Sequence, residues 1–314
     1  MVQTSLQVFA DIPETPTLIN AILGCFKDGV AHTLRDIYER VLNIRPGTKE
    51  STVRGRLNEN NGKFFIRVAR GIYIAVRGPA TAIIFEGDAW EKIKDIETES
   101  IDALFADALY PWLNKHLETG TTRKLDGMLS YDTCEIDPAL LQEMYRVLKS
   151  KKVGTGLNGQ QIIGGAHMFL FVPALTVGTW DHVNTLIKDA EHMGFVFNKL
   201  FIWDKVDIGM GYNGRNRYEA LLFMSKGERL MPFDLTIPDV ISVKRPDPAR
   251  RLHESEKPVE LYEPLISFST IVGDVVLDIF AGSANVAKAA LAMGRHCILF
   301  EKKSEFIDAL TGGN

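Results

Sequence analysis

Residues 275–303 read VVLDIFAGSANVAKAALAMGRHCILFEKK, and this stretch decides the fold. A short apolar run ends in Asp278, and Phe280-Ala281-Gly282-Ser283 turns tightly. A helical pattern then begins near Ala284, where small residues let a ligand approach the backbone. A second apolar run starts at His296 and closes on Glu301, 19 residues after Gly282. Strand, turn, helix and strand with an acid at each strand end suit a nucleotide-binding α/β sheet, where the second acid hydrogen-bonds ribose hydroxyls. The fingerprint Gly-x-Gly-x-x-Gly is not met, so a pyrophosphate-binding site is disfavoured and an adenosine cofactor without one fits better. Taken alone, an acid-ended strand and a glycine turn also suit a purely structural corner.

Working outward, AIIF after Thr81, IDALFAD (101–107), HMFLFVPA (167–174), KLFIWDK (199–205) and YEALLFMS (218–225) are short apolar runs suited to buried strands. They join DVVLDIF (274–280) and HCILFE (296–301). Helical spacing lies between several of them, in PALLQEMYRVLK (138–149), DHVNTLIKDAEHM (181–193) and ANVAKAALAMG (284–294). The alternation predicts an α/β chain with a doubly wound, mostly parallel Rossmann-like sheet and ligand sites at the carboxyl ends of its strands. Gly227 to Glu256, rich in Pro and Arg, suits an exposed recognition loop.

Residues 1–78 have a different character and are expected to form their own domain, with 79–314 as the second. A helix starting at Pro16 would place Leu18, Ile19, Ile22 and Leu23 on one face and end near Lys27-Asp28-Gly29. Thr33 can cap a second helix with Leu34, Ile37, Val41 and Leu42 at helical spacing. Thr48 or Ser51 can cap a third, turning Val53 and Leu57 inward and Lys49, Arg54 and Arg56 outward. A strand pair with a break near Arg70-Gly71 follows the Asn60-Asn61-Gly62 turn. Three helices and a hairpin in this order predict a small winged helix-turn-helix. Residues 1–78 hold 11 Lys/Arg against 7 Asp/Glu, whereas the remainder holds 25 against 33. Such a local basic patch on an acidic chain suits nucleic acid, with Lys49, Arg54, Arg56, Lys63, Arg67 and Arg70 as candidate contacts. A protein-docking face with solvated charges is the alternative.

Composition closes other classes. Apolar residues make up 46 % and charged residues 24 % of the 314, as in ordinary globular proteins. No apolar run approaches membrane-spanning length and no secretory signal is legible, so a cytoplasmic chain without membrane contact is expected. Cys25, Cys134 and Cys297 lie far apart, which predicts buried thiols rather than disulfides or a metal site.

DIFAGSANVAKAA resembles the cofactor motif Asp-Pro-Phe-x-Gly-Ser-Gly of the amino-methyltransferases that modify adenine N6 or cytosine N4 in DNA. HESEKPVELYEPLI (253–266) is similar to the family's His-x-x-x-Lys-Pro-x-x-Leu helix beside the methionine pocket. FIWDKVDIGMGYNGRNRYEALLFMSKG (201–227) resembles its Trp-x-Lys, Arg-x-x-x-Glu and Lys-Gly region. IIFEGDAWEKIKDIETESIDALFADALYPW (83–112) resembles the strand and turn leading to its Asp-Pro-Pro-Tyr catalytic motif. The catalytic motif comes first, the permuted order of the β class. The ending FFIRVARGIYI of the first segment resembles HARE-type winged helices attached to restriction and modification enzymes.

The resemblance implies a methyltransferase sheet, a transferase of restriction-modification type, S-adenosylmethionine as cofactor and double-stranded DNA with a flipped base as partner. Adenine N6 is preferred over cytosine N4, and the sequence leaves a homodimer open. Asp107 and Tyr110 are then the catalytic candidates, one accepting from the target amine and the other stacking on the base. Asp88, His253, Lys257, Asp278, Phe280, Gly282, Ser283, Asn285 and Glu301 are implied for the cofactor. Arg123, Arg245, Arg250 and Arg251 are added for DNA, beside a polar stretch with Trp112, His116, Thr121 and Thr122 that suits a loop closing on DNA or a solvated surface. Two positions depart from the family pattern. Asp107-Ala108-Leu109-Tyr110 lacks both prolines, and Ala284 stands at the second glycine of the cofactor turn. A non-catalytic DNA-binding or assembly protein on the same fold, and an RNA or free-nucleotide methyltransferase, are the alternatives.

Overall fold

The computed structural model describes residues 17–28, 30–61, 65–75, 80–108, 135–156, 159–209, 214–228, 231–247, 249, 251–252, 255–304 and 306–307. The chain divides into two compact units, Met1–Thr81 and Ala82–Asn314.

In the first unit, helices Leu18–Gly24, Leu34–Ile44 and Glu50–Glu59 accompany strands β1 (His32–Thr33), β2 (Phe65–Ala69) and β3 (Ile72–Ala75). The strands form one antiparallel sheet in the order β1-β3-β2. Ile22, Phe26, Ile37, Val41, Leu57 and Phe65 meet in its core, as the apolar spacing of the three helices requires. Thr33 caps the second helix through a full capping box with Asp36. The third helix differs from expectation. Its N-cap is Lys49, which makes no side-chain cap, because the Thr48 hydroxyl donates to the Arg45 carbonyl (2.9 Å) and Ser51 already lies inside the helix. The first helix is also shorter than expected: Cys25 to Asp28 form a turn, which brings Cys25 and Phe26 into the core.

The second unit is built on eight strands. In chain order they are β4 (Ala82–Glu86), β5 (Ala103–Ala106), β8 (His167–Val172), β9 (Phe195–Asp204), β10 (Tyr218–Lys226), β11 (Val240–Ser242), β12 (Val275–Asp278) and β13 (His296–Glu301). Their spatial order is β11-β9-β10-β8-β5-β12-β13-β4. All neighbours run parallel except β10, which is antiparallel to both β8 and β9. Every residue of β5, β8, β12 and β13 is buried, which explains why these strands read as continuous apolar runs rather than as alternations. Helices Pro138–Val147 and Val177–His192 follow β5 and β8, while Val259–Ser269 and Asn285–Ala292 flank β12.

Two features fall outside the sequence expectation. A hairpin of β6 (Lys152–Thr155) and β7 (Gln161–Gly164) precedes β8, and Phe233 packs against it. A Cβ on Gly154 would stand 2.5 Å from the Phe233 ring, so only glycine lets that ring lie down. The Pro/Arg-rich stretch is more than an exposed loop: β11 adds to the sheet edge, and Phe233, Asp234 and Ile241 are buried. Both elements are held by tertiary partners that short apolar runs do not announce. Cys25 and Cys297 are free and buried, and Cys134 lies outside the described residues. Among the described residues no helix is long and apolar enough to cross a membrane, and no group of His, Cys, Asp and Glu could hold a metal ion.

Candidate active site

From β12 the chain crosses to β13 on one side, and from β5 it crosses to β8 on the other, so the topology switches between β12 and β5. Such a switch opens a crevice beyond the carboxyl ends of the strands. Asp278 ends β12 and pairs in register with Phe105 of β5 and Leu299 of β13. Glu301 ends β13, opposite Glu86 of β4, and Asp107 follows β5. The three acids therefore line one edge on neighbouring strands.

Asp278 is 4 % exposed and accepts one backbone N–H, from Phe280 (3.1 Å). Burial pushes its carboxyl up to about 7, and the negative charges of Asp107 and Glu301 push the same way. Among the described residues no Lys or Arg forms an ion pair with it. Either a proton or an approaching cation would relieve a buried acid of this kind. Glu301 accepts the Gly282 N–H at one oxygen (2.7 Å) and the Lys303 N–H at the other (2.8 Å), which locks the acid against the turn. Gly282 has φ +49°, and Ala284 also adopts the left-handed conformation, at φ +52°. Ser283 is buried within the same turn. Asp88 caps the short helix Ala89–Lys92 by accepting from the Trp90 N–H (3.0 Å) and lies 3.6 Å from Lys302. The half-buried Trp90 ring meets the Phe280 ring at 6.1 Å, an aromatic pair beside the turn whose Trp90 member the cofactor motif does not contain.

Asn285, expected around the cofactor, makes three side-chain hydrogen bonds among the described residues. Its amide donates to the Lys257 carbonyl (2.6 Å) and to Glu256 (2.9 Å), while Lys288 donates to its oxygen (2.8 Å). It ties the helix after the turn to the segment carrying Lys257. Lys257, expected around the cofactor, gives its ammonium to Asp107 Oδ2 (2.5 Å) and lies 3.3 Å from Glu219 Oε2. Lys205 reaches the other oxygen of Glu219 at 3.1 Å. Phe171 lies under the Lys257 ammonium at 5.2 Å, and Trp203 under Lys205 at 5.8 Å. Burial raises the Asp107 carboxyl above its ordinary range and Glu219 adds to the rise, with Lys257 opposing. Burial works against ionisation of Glu219 too, but Lys257 and Lys205 outweigh it and hold its carboxyl low. Asp107 keeps 24 % of its side chain open and Lys257 only 6 %.

Lys205 and Glu219 were not singled out from the sequence. The signal was present, in Trp203-Asp204-Lys205 and in Arg215-x-x-x-Glu219, but spacing alone does not say that the two strands bring them together. Tyr110, Arg123, His253, Arg250 and Lys63 lie outside the described residues, as do Trp112, His116, Thr121 and Thr122. In the first unit Lys49, Arg54, Arg56 and Arg70 are exposed and Arg67 is half-buried. Arg56 is paired with Glu59. Arg245 and Arg251 are half-buried in the stretch after β11, where the Arg251 N–H donates to the Asp247 carbonyl (3.2 Å).

Comparison with known proteins accords with this arrangement. The profile of a family described as "DNA methylase" matches residues 138–311. Type II methyltransferase M.HinfI of Haemophilus influenzae is 25 % identical over 259 residues, covering 72 % of this chain and 66 % of that protein. The chain thus spans just under two thirds of that relative's length. DNA adenine methyltransferase YhdJ of Escherichia coli (strain K12) is 25 % identical over 253 residues, covering 73 % of this chain and 81 % of that protein. The solved structure of PvuII DNA methyltransferase (cytosine-N4-specific) superposes with a TM-score of 0.54 at 18 % identity, over 74 % of this chain and 86 % of that one.

Proposed function

The chain belongs to the DNA methylase family, and on that premise we propose that it transfers a methyl group from S-adenosylmethionine to the exocyclic amine of a flipped-out base in duplex DNA, adenine N6 rather than cytosine N4. The observation that carries this reading is the row of strand-end acids. Asp278 is buried without a cation, and S-adenosylmethionine bears two, an ammonium and a sulfonium. Glu301, fixed one strand away, suits the ribose hydroxyls, and Trp90 with Phe280 suits the purine. When bound, the cofactor supplies an electrophilic methyl carbon.

Asp107 stands on the next strand, where its carboxylate would accept a hydrogen bond from the target amine and aim the nitrogen. As the N–C bond formed, the sulfonium C–S bond would break to leave a neutral thioether, and the methylated nitrogen would give up one proton to water. Holding the amine in line is mainly positioning and electrostatics, so an oriented anion suffices without a proline-fixed turn. Base flipping would bring the amine into the crevice, with Tyr110 stacking on the ring. The first unit is read as a HARE-type winged helix within residues 1–78 whose exposed Lys49, Arg54 and Arg70 contact phosphates. YhdJ supports the adenine preference, since the relative bearing that name acts on adenine.

Nucleoside mass spectrometry of DNA incubated with the protein and S-adenosylmethionine tests this directly. N6-methyldeoxyadenosine is expected. N4-methyldeoxycytidine would reassign the base, and cofactor binding without any methylated nucleoside would move the protein to the non-catalytic class.

A further inference from the structure

Asp107, Lys257, Glu219 and Lys205 come from four places in the chain and meet at one edge of the sheet for a topological reason. β5 and β9 end there, whereas β10 runs antiparallel and begins there, so Glu219 near the start of β10 lies beside Lys205 just after β9. Lys257 reaches over Phe171 of β8, the strand between β5 and β10, and touches a carboxylate on each side. Two ammonium groups and two carboxylates alternate, so the row is neutral overall. Its members are largely enclosed, and each inner one has two oppositely charged neighbours.

We propose that Glu219 is a positioning residue for methyl transfer: by sharing Lys257 with Asp107, it fixes the direction of the Asp107 carboxylate and keeps the ammonium from neutralising it. This rests on the role given to Asp107 above. Lys257 takes Oδ2, which leaves Oδ1 outside the ammonium's grip and available to the target amine. Were Glu219 absent, Lys257 would have Asp107 as its only close anion among the described residues, and the field that Asp107 presents to the amine would weaken. Lys205 completes the row, since it holds Glu219 from the far side at 3.1 Å. A buried network of this kind acts as a unit, because removing one member leaves its neighbours' charges uncompensated.

Among the described residues, the charged and titratable groups facing Asp107 are Lys257, Glu219, Asp278 and Tyr262. Glu219 pushes the Asp107 carboxyl up. Glu219→Gln therefore moves the acid limb of the rate profile to lower pH while lowering its plateau, a combination that a merely structural loss does not produce. The test measures kcat, KM for duplex DNA and cofactor affinity in the full chain, with the wild type and Asp107→Ala alongside. Glu219→Gln is expected to lower kcat about ten- to a hundredfold, as for other groups that orient a functional side chain. Cofactor affinity should stay within about twofold, and Glu219→Asp should recover part of the rate. The double variant Lys205→Met with Glu219→Gln should regain thermal stability but not kcat, which separates folding from positioning.

An active wild type and inactive Asp107→Ala combined with a Glu219→Gln that keeps its kcat and its acid limb would overturn this inference and leave the proposed activity standing. A wild type without methyl transfer would instead sink the activity. Carbon-13 titration of the Asp107 carboxyl, assigned by difference against Asp107→Asn, reads the coupling without turnover. A lower Asp107 pKa in Glu219→Gln supports the coupling, and an unchanged one overturns it.

Discussion

Replacing Asp278 by Asn should weaken cofactor binding and stabilise the free protein at neutral pH, and both effects follow from the same geometry. The Asp278 carboxyl rises from 3.8 to about 7 because burial removes water and the charges of Asp107 and Glu301 lie nearby. The unfolded chain ionises this group near pH 4, whereas the folded protein keeps it protonated until near pH 7. The folded state thus binds the extra proton over that window, so stability is fully present below about pH 4 and declines as pH rises to about 7. Three units correspond to a penalty of up to about 4 kcal/mol above pH 7. Asn, which carries no charge and can still accept the Phe280 N–H, removes that penalty, so the melting temperature at pH 8 should rise by several degrees. A cation-bearing cofactor needs the ionised acid. Wild-type affinity for S-adenosylhomocysteine, which keeps the ammonium, should be flat above pH 7.5 and fall about tenfold for each pH unit below about 7. Isothermal calorimetry from pH 5 to 8.5, with scanning fluorimetry of the free proteins, reads both effects. A wild-type affinity independent of pH, or an Asp278→Asn protein that binds as tightly as the wild type, would refute the reasoning. So would a loss of stability at pH 8 in the variant.

Other expectations follow from neighbouring residues. Ala284→Gly should raise stability by about 0.5–1 kcal/mol, because a left-handed Ala costs about 1–2 kcal/mol and glycine returns part of that as chain entropy; urea melts will show it. Glu301→Ala should remove most of the rise in melting temperature caused by S-adenosylmethionine, since the acid fixes the turn at Gly282 and ends the strand beside Asp278. Isolated residues 1–81 should bind duplex DNA weakly with a steep loss as salt rises, and Arg54→Ala with Arg70→Ala should flatten that slope by about two phosphate contacts in fluorescence anisotropy titrations.

Much of the fold is legible in the sequence because its signals are local. Strands β5, β8, β12 and β13 are buried along their whole length, so each appears as an uninterrupted apolar run. The capping box at Thr33 involves residues three apart. Asp278, Gly282 and Glu301 fall within one strand-turn-helix-strand unit, so the expectation of a ligand turn there rests on local spacing alone. What sequence could not decide depends on which distant segments become neighbours. Lys257 and Asp107 are separated by 150 positions, and no periodicity relates them. Glu219 reaches the same edge only because β10 runs against its neighbours, a choice made by the packing of the whole sheet. The partners of Asn285 and Lys257 are illegible for the same reason: Asn285 donates to the Lys257 carbonyl and Lys257 to Asp107, each far away along the chain. Local patterning sets where strands and helices begin and end, but buried charges take the partners that the tertiary fold brings within about 3 Å, because an unpaired charge there costs several kcal/mol.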